Sequence, residues 1–221
     1  MNISDVGSAV RGGRLQVALD VTDIRVAVRL CKTLPERGII LEVGTPLLKA
    51  HGIRAIRAVR KESRGRAVFA DTKTLDAAEV EVAIAKAGGA DGATVSALAP
   101  EETVKKFGVA CRDNGLICLV DLLGSSMDAE KLAPIASAAD ILICHGGIDQ
   151  GLDPRRFGHN VVRLKERFPD KLVAVAGGIT PATIGTILSS GADIVIVGRY
   201  ITNSDNPRET ASEMLRLLRG T

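Results

Sequence analysis

Eight short apolar runs recur along the chain, with starts separated by 21 to 32 residues. Each run is rich in Val, Ile, Leu and Ala, which is typical of a parallel strand that is buried on both faces. One helical pattern fills each gap, and no Pro/Gly/Ser-rich linker divides the chain. The repeated unit predicts an α/β fold, and the count of eight favours a single (β/α)8 TIM barrel over an open doubly wound sheet. The runs are Leu15–Leu19, Ile39–Val43, Ala67–Ala70, Gly92–Val95, Ile117–Val120, Ile141–Cys144, Val173–Val175 and Ile194–Val197.

The composition supports this fold and disfavours nucleic-acid binding. The length of 221 residues is close to the usual size of such a barrel, and aromatic residues make up only 2% of the chain. Modules that stack nucleic-acid bases need aromatic side chains. The net charge is +3, with Lys and Arg interspersed among Asp and Glu. We therefore expect no nucleic-acid partner, whereas a small anionic ligand is compatible with this charge.

The cysteines and the N-terminus indicate a cytoplasmic protein. Four cysteines lie far apart without a C-x-x-C motif, so we interpret them as reduced core residues. No signal peptide or membrane-spanning run is predicted. Residues 1–14 are polar and contain glycine, and we interpret them as an N-terminal extension of a barrel domain that comprises residues 15–221.

One stretch, A-D-T-K-T-L-D at Ala70–Asp76, places charges where the third apolar run ends. If the strand continues to Lys73, its period of two points Asp71 and Lys73 the same way, while Asp76 becomes the N-cap of the next helix. Such a cluster is either a structural ion pair or an active site, because unpaired charges are costly to bury. A further helix is predicted to begin at Pro46 and to end near Arg64.

The residues that follow the eight runs favour the active site. In a (β/α)8 barrel the carboxyl ends of the strands form one catalytic face, so the residues there converge. Singly, each is an ordinary polar strand end, but jointly they indicate a functional site. These residues are Asp20, Glu42, Asp71 with Lys73, Ser96, Asp121, His145, Gly177 with Gly178, and Gly198 with Arg199.

Three kinds of chemistry fit these residues. Glu42 and Asp71 on neighbouring strands suit Mg²⁺, although Glu42 could instead pair with Lys73. The glycines after runs seven and eight, with Arg199, lie where barrels of this type bind phosphate. His145 is predicted to point towards the carboxylates, which suits proton transfer, because histidine titrates near neutral pH.

Seven motifs, in order and over about nine-tenths of the chain, resemble those of the orotidine 5′-phosphate decarboxylase suprafamily. The D-x-K-x-x-D spacing with the later glycine motifs is specific for the suprafamily. Within it, E-V-G-T-P-L and Asp121 look like the 3-hexulose-6-phosphate synthase branch, as does the region Gly146–Asp149, where the keto-gulonate-phosphate decarboxylase branch carries an arginine. The motifs are L-Q-V-A-L-D at Leu15–Asp20, L-E-V-G-T-P-L at Leu41–Leu47, A-D-T-K-T-L-D, V-D-L-L-G at Val120–Gly124, H-G-G-I-D-Q at His145–Gln150, A-G-G-I at Ala176–Ile179 and V-G-R-Y-I-T at Val197–Thr202.

The resemblance implies a Mg²⁺-dependent, reversible aldol condensation of D-ribulose 5-phosphate with formaldehyde. It implies that His145 removes a proton from C1, that Glu42 and Asp71 hold the metal, and that Lys73 and Asp20 bind substrate oxygens, oriented by Asp121. It also implies that Gly177, Gly178, Gly198 and Arg199 hold the phosphate. In this family the site lies at a homodimer interface, so the resemblance implies that Asp76 reaches the partner's site.

Two other functions are compatible with the same residues. A decarboxylase acting on 3-keto-L-gulonate 6-phosphate, or on a related sugar-acid phosphate, would need the same metal to stabilise its enediolate. A non-catalytic barrel that binds a sugar phosphate would need only the phosphate site, and the complete set of charged strand ends argues against it.

Overall fold

The computed structural model describes residues 14–146 and 154–219 and shows a closed barrel of eight parallel strands. The strands follow the order β1 to β8, with β8 paired to β1. The predicted (β/α)8 TIM barrel is therefore confirmed. The strands are β1 (Leu15–Leu19), β2 (Ile39–Val43), β3 (Val68–Thr74), β4 (Gly92–Ser96), β5 (Ile117–Asp121), β6 (Ile141–His145), β7 (Leu172–Ala176) and β8 (Ile194–Val197).

Ten helices within the described ranges surround the barrel. They cover the outward faces of the strands, where alternate residues such as Val17, Leu41 and Val195 join the larger hydrophobic core. The other residues of each strand point inwards, because side chains alternate along a strand. The helices are α1 (Ile24–Thr33), α2 (Thr45–His51), α3 (Ile53–Lys61), α4 (Ala78–Gly88), α5 (Glu101–Asp113), α6 (Ala129–Ala138), α7 (Pro154–Arg167), α8 (Pro181–Ser189), α9 (Arg199–Thr202) and α10 (Pro207–Arg219).

The interior of the barrel is filled by a second, smaller core of aliphatic side chains and one phenyl ring. Ala18, Ile40 and Leu119 belong to this core, and the Phe69 ring at its centre is fully buried. The position across from the ring is Gly92, where a Cβ would lie 2.9 Å from Phe69 Cδ1. The interior is therefore filled by side chains below the strand ends, and the inward-pointing charged side chains lie at the face where the strands end.

Two local predictions are wrong. The helix predicted from Pro46 to Arg64 is two helices, α2 and α3, because Gly52 between them has a φ of 55° that a regular helix does not allow. Asp76 is not an N-cap. The N-cap of α4 is Ala77, in the left-handed region with φ of 53°, and it makes no side-chain capping bond.

The remaining predictions about composition concern the thiols and the termini. All four cysteines are free and buried, as predicted: Cys31, Cys111, Cys118 and Cys144. Of the extension predicted for residues 1–14, only Arg14 is described, and its backbone oxygen accepts a hydrogen bond of 2.8 Å from Val195 N. Within the two described ranges, no helix combines the length and the apolar character that crossing a bilayer requires.

Candidate active site

Inward-pointing residues at the strand ends form a cluster that we call the mouth. Each lies two residues after an inward-pointing apolar residue of the same strand. The pairs are Ile40 and Glu42 on β2, Leu119 and Asp121 on β5, and Ile143 and His145 on β6. The period of two that buries the interior residues therefore also carries these polar side chains to one place. The mouth consists of Asp20, Glu42, Asp71, Lys73, Asp121 and His145.

Lys73 lies between two carboxylates. Its Nζ donates to Asp71 Oδ2 at 2.9 Å and to Asp121 Oδ2 at 2.7 Å. Burial opposes the charged form, but the two carboxylates outweigh it and raise the pKa of Lys73 above its ordinary value. Lys73 is therefore a permanent cation in the mouth and acts as a hydrogen-bond donor rather than as a base. The predicted common orientation of Asp71 and Lys73 is confirmed.

The backbone at Lys73 departs from a regular strand. Its φ is 45°, in the left-handed region that residues other than glycine rarely adopt. The register between β3 and β4 shifts over the same segment, between Ala70 and Thr74. Non-glycine residues in this conformation are held there by their surroundings and are concentrated at functional sites. Here the two ion pairs of the Lys73 side chain supply that restraint.

Asp121 joins Lys73 to His145. Its carboxylate lies 2.9 Å from His145 Nδ1 and also accepts a bond of 2.9 Å from Leu123 N. Although burial works in the opposite direction, the hydrogen bond and charge of His145, together with Lys73, lower the pKa of Asp121 to about 2. An ionised Asp121 accepts a hydrogen bond from Nδ1–H, and in that tautomer Nε2 is the ring nitrogen available to take a proton.

Among residues 14–146 and 154–219, no salt bridge joins a cation to Glu42 or to Asp20. Burial, followed by repulsion from Asp71 and Asp20, raises the pKa of Glu42 well above its ordinary value. Burial and the charge of Asp71 raise the pKa of Asp20 as well. The bond that Glu42 accepts comes from Gln16, whereas Lys73 bonds to the two aspartates. The alternative that Glu42 pairs with Lys73 therefore does not match the geometry.

The donor set fits a hard divalent cation. Glu42 and Asp71 lie on adjacent strands, and both are nearly buried. Their oxygens are the ligand type that Mg²⁺ prefers, and it commonly binds one or two carboxylates while keeping several waters. No group of three or more His, Cys, Asp or Glu that could hold a metal ion occurs in residues 14–146 and 154–219. Any metal held here would thus rely on two carboxylates, water and substrate.

The predicted phosphate residues lie at the ends of β7 and β8. Gly177 has a φ of 108°, and a Cβ there would overlap the backbone oxygen of Gly146, so only glycine fits. Gly178 also has a positive φ, of 62°. Gly198 is the N-cap of α9, and Arg199, its first residue, is exposed. These four residues leave backbone and guanidinium donors on one side of the mouth.

Asp76 stays outside the cluster within one chain. It is exposed in the segment between β3 and α4, and none of the hydrogen bonds or salt bridges of the described residues joins it to the mouth. The exposed side chain of Leu75 lies beside it in sequence. The part of the predicted branch signature at residues 147–149 lies outside the described residues.

Comparison with known proteins agrees with this arrangement. Residues 13–214 match the orotidine 5′-phosphate decarboxylase / HUMPS family. The chain belongs to this family. The predicted membership is thus confirmed over nearly the whole barrel.

The family members most informative for this chain differ in length and identity. A crystal structure of 3-hexulose-6-phosphate synthase has a TM-score of 0.85 and is 32% identical, over 92% of this chain and 98% of that chain. The bifunctional enzyme Fae/Hps of Methanosphaera stadtmanae is 35% identical over 92% of this chain but only 52% of its own length. The chain therefore spans about half the length of the curated relatives that it matches. A crystal structure of KGPDC from Streptococcus mutans is 24% identical over 93% of this chain and 97% of that chain, with a TM-score of 0.86, and shows the shared fold.

Three further residues of this family member shape the mouth and were missed in the sequence. Thr45 Oγ1 donates to Asp71 Oδ2 at 2.7 Å, and Gln16 Nε2 donates to Glu42 Oε2 at 2.6 Å. A Cβ at Gly44 would overlap Asp20 Oδ1, so glycine makes room for that carboxylate. The alternation Gln16, Ala18, Asp20 along β1 is the signal that could have identified Gln16 as inward-pointing.

Proposed function

We propose that the chain is an aldehyde-lyase, a 3-hexulose-6-phosphate synthase. It would condense D-ribulose 5-phosphate with formaldehyde to D-arabino-hex-3-ulose 6-phosphate, reversibly. The observation that carries the proposal is the position of Asp121, which bonds Lys73 on one side and His145 on the other. This arrangement supplies a base and a fixed cation next to each other, which proton abstraction beside a carbonyl requires. The likeness to a solved synthase over 98% of its chain supports the choice of reaction.

His145 is the proposed base. With Nδ1 held by Asp121, Nε2 takes a proton from C1 of ribulose 5-phosphate, and the electron pair of the C–H bond forms the enediolate over C1 and C2. The imidazolium that results is stabilised by the Asp121 carboxylate. The C1 carbon then attacks formaldehyde, a C–C bond forms, and the former carbonyl oxygen of formaldehyde takes the proton from His145.

Lys73 and Asp20 are proposed to bind the oxygens of the substrate. The raised pKa of Lys73 keeps its ammonium charged while negative charge develops on the enediolate. Asp121 holds that ammonium in place through the 2.7 Å bond, so the charge needs no rearrangement during the reaction. Asp20 lies nearby, and its carboxylate would accept a hydrogen bond from a substrate hydroxyl.

Glu42 and Asp71 are the residues proposed to hold Mg²⁺. The bound ion would act as a Lewis acid towards substrate oxygens and so favour the enediolate. The two carboxylates repel each other across adjacent strands, and a divalent cation between them would remove that repulsion.

The phosphate of the substrate is proposed to bind at Gly177, Gly178, Gly198 and Arg199. Their backbone N–H groups at the ends of β7 and β8 fit an anion, and Arg199 adds a charge-assisted contact. This would place the sugar chain across the mouth towards His145.

A homodimer with shared active sites is proposed as the functional unit. Several large apolar side chains are exposed on neighbouring elements, among them Leu75 at 56%, Val80 at 60% and Leu98 at 61% exposure. Leu75 is next to Asp76 in sequence, Val80 lies on α4, and helices α4 and α5 pack side by side. A second copy would cover these side chains and bring Asp76 to the other mouth. The four free cysteines support a reducing, cytoplasmic setting.

A substrate comparison tests the reaction. We expect formaldehyde to be consumed with ribulose 5-phosphate, and we expect EDTA to abolish consumption and added Mg²⁺ to restore it. Without formaldehyde, the C1 proton of ribulose 5-phosphate should still exchange in D₂O, because His145 acts before the C–C bond forms.

The same assay separates the alternatives. Turnover of 3-keto-L-gulonate 6-phosphate without formaldehyde consumption would show that the protein is a decarboxylase and not a synthase. Thermal stabilisation by ribulose 5-phosphate without C1 exchange would point to a sugar-phosphate-binding barrel. Light scattering should give twice the monomer mass, and Leu98→Glu should lower it. A monomer of wild-type activity would contradict the shared site.

A further inference from the structure

Gln16 is a buried amide in an otherwise apolar layer of the barrel. It points inwards from β1 and is only 1% exposed. Its Cα partner on β2 is Ile40, and Glu42 lies two residues further along that strand, at the mouth. The neighbours of Gln16 in the interior, Ala18 and Ile40, belong to the apolar core. A polar side chain at this depth is unfavourable unless a hydrogen bond compensates it.

The amide makes one hydrogen bond and leaves one atom unsatisfied. Nε2 donates to Glu42 Oε2 at 2.6 Å, whereas the buried Oε1 has no partner within the part of the chain that the structure describes. A leucine or methionine would fill the same space without an unsatisfied oxygen. The retained amide is therefore explained by its contact with Glu42 and not by packing.

The kind of donor matters for the charge of the mouth. Asp71 is paired with the ammonium of Lys73, and Asp121 is paired with Lys73 and His145. The bond to Glu42 comes from a neutral amide, which fixes the position of the carboxylate without neutralising its charge. A lysine or arginine at position 16 would fix it equally well and would cancel the charge.

We propose that Gln16 is a positioning residue that pins Oε2 of Glu42 and so leaves Oε1 aimed at a divalent cation. The inference rests on the proposed function, in which Glu42 is a ligand of Mg²⁺. Partners that orient metal-binding carboxylates in this way strongly affect affinity, and their loss commonly weakens metal binding about 10- to 100-fold. Gln16 thus acts on the metal through Glu42 and touches neither substrate nor metal.

Gln16→Met tests this, because methionine has a similar size and no donor. Calorimetric titration of the purified protein with Mg²⁺ and with Mn²⁺ measures the affinity directly. We expect the Kd for both ions to rise about 10- to 100-fold. The kcat at saturating Mg²⁺ should stay within about threefold of the wild type, since the catalytic groups are untouched. Gln16→Leu repeats the measurement if the methionine variant does not fold.

A double-mutant cycle and a matched control complete the experiment. In a Glu42→Gln background, Gln16→Met should cause no further loss of affinity, because Gln16 acts only through Glu42. Thr94→Val, a nearly buried position on β4 that does not bond to the carboxylates, should leave the Kd unchanged. An equal loss in Thr94→Val, or an additive effect in the cycle, would overturn the inference.

The outcomes also separate this inference from the proposed function. If the wild type binds Mg²⁺ and Gln16→Met binds it equally well, Gln16 has no positioning role, while the proposed reaction stands. If the wild type consumes formaldehyde at its full rate in EDTA and binds neither ion, both the proposed Mg²⁺ site and the proposed role of Gln16 are wrong. Weakened binding in the variant alone supports the inference.

Discussion

The acids at the two ends of the barrel differ in how their charges are compensated. At the end where the strands begin, which we call the floor, Asp91, Asp140 and Asp193 each accept a backbone hydrogen bond of 2.8 Å, and these bonds come from Val68 N, Cys118 N and Val173 N. Lys165 donates to Asp193 at 2.9 Å, and Arg60 pairs with Asp91. Each floor acid is thus satisfied by its own partner.

At the mouth, acids outnumber their partners. Burial, and then the charges of neighbouring carboxylates, raise the pKa values of Asp20 and Glu42. Lys73 is the cation shared by Asp71 and Asp121. The same residue type therefore stabilises the fold at one end and is held at a cost at the other. Such unfavourable clusters are retained where they bind something, in keeping with stability at the floor of a barrel and catalysis at its mouth.

The comparison is tested most strongly by activity. His145→Ala and Asp71→Asn at the mouth should each lower kcat by at least about a hundredfold, because they remove the proposed base and a proposed metal ligand. Asp193→Asn at the floor is the control and should leave the kcat of the folded protein within about twofold. Formaldehyde consumption, with circular dichroism to check folding, measures both. Equal losses of kcat in the mouth and floor variants would contradict the difference in role between the two ends.

Asp121 is the mouth acid whose charge is fully compensated, and it should behave like a floor acid in stability. Its pKa of about 2 lies below the ordinary value of 3.8, so its contribution is present above about pH 4 and is lost as pH falls towards 2. Asp121→Asn should cost roughly 2 kcal/mol at pH 7 and little at pH 2. Urea unfolding at several pH values measures this, and a loss that is constant with pH would argue against it.

Asp193→Ala should destabilise the protein by about 1–3 kcal/mol, because Val173 N and Lys165 both lose their acceptor. The change should appear in the urea midpoint with an unchanged m-value. Lys165→Met removes the ion pair but leaves the hydrogen bond from Val173 N. If it lowers stability less than Asp193→Ala does, the difference measures the contribution of the backbone bond. No change in Asp193→Ala would mean that the floor acids are not structural.

Glu42→Gln should have the smallest effect on stability, and it should stabilise the protein rather than destabilise it. Burial and two neighbouring carboxylates raise the pKa of Glu42 above its ordinary 4.5, so its ionisation lowers stability increasingly as pH rises from about 4.5 through the raised value. Without Mg²⁺, the variant should be about 1 kcal/mol more stable at pH 8, a Tm rise of about 2–4 °C, with little difference at pH 4. A variant less stable than the wild type at pH 8 would contradict the argument.

Much of the fold could be predicted from the sequence, because strand periodicity is a local property. The apolar runs located β1, β2 and β8 to the residue, and the charged residues at or just after the ends of several runs located the mouth. Helix ends were less predictable. Gly52 and Ala77 adopt left-handed conformations that depend on how the following helix packs, so the break between α2 and α3 and the start of α4 were missed.

The sequence by itself determined the order of strands and the set of side chains that point inwards, because alternation along a strand needs only neighbouring residues. Only the tertiary structure decided the partners: Asp121 with Lys73 and His145, and Gln16 with Glu42. Those contacts join residues 24 to 48 positions apart. They depend on the closure and register of the barrel, which no single strand encodes.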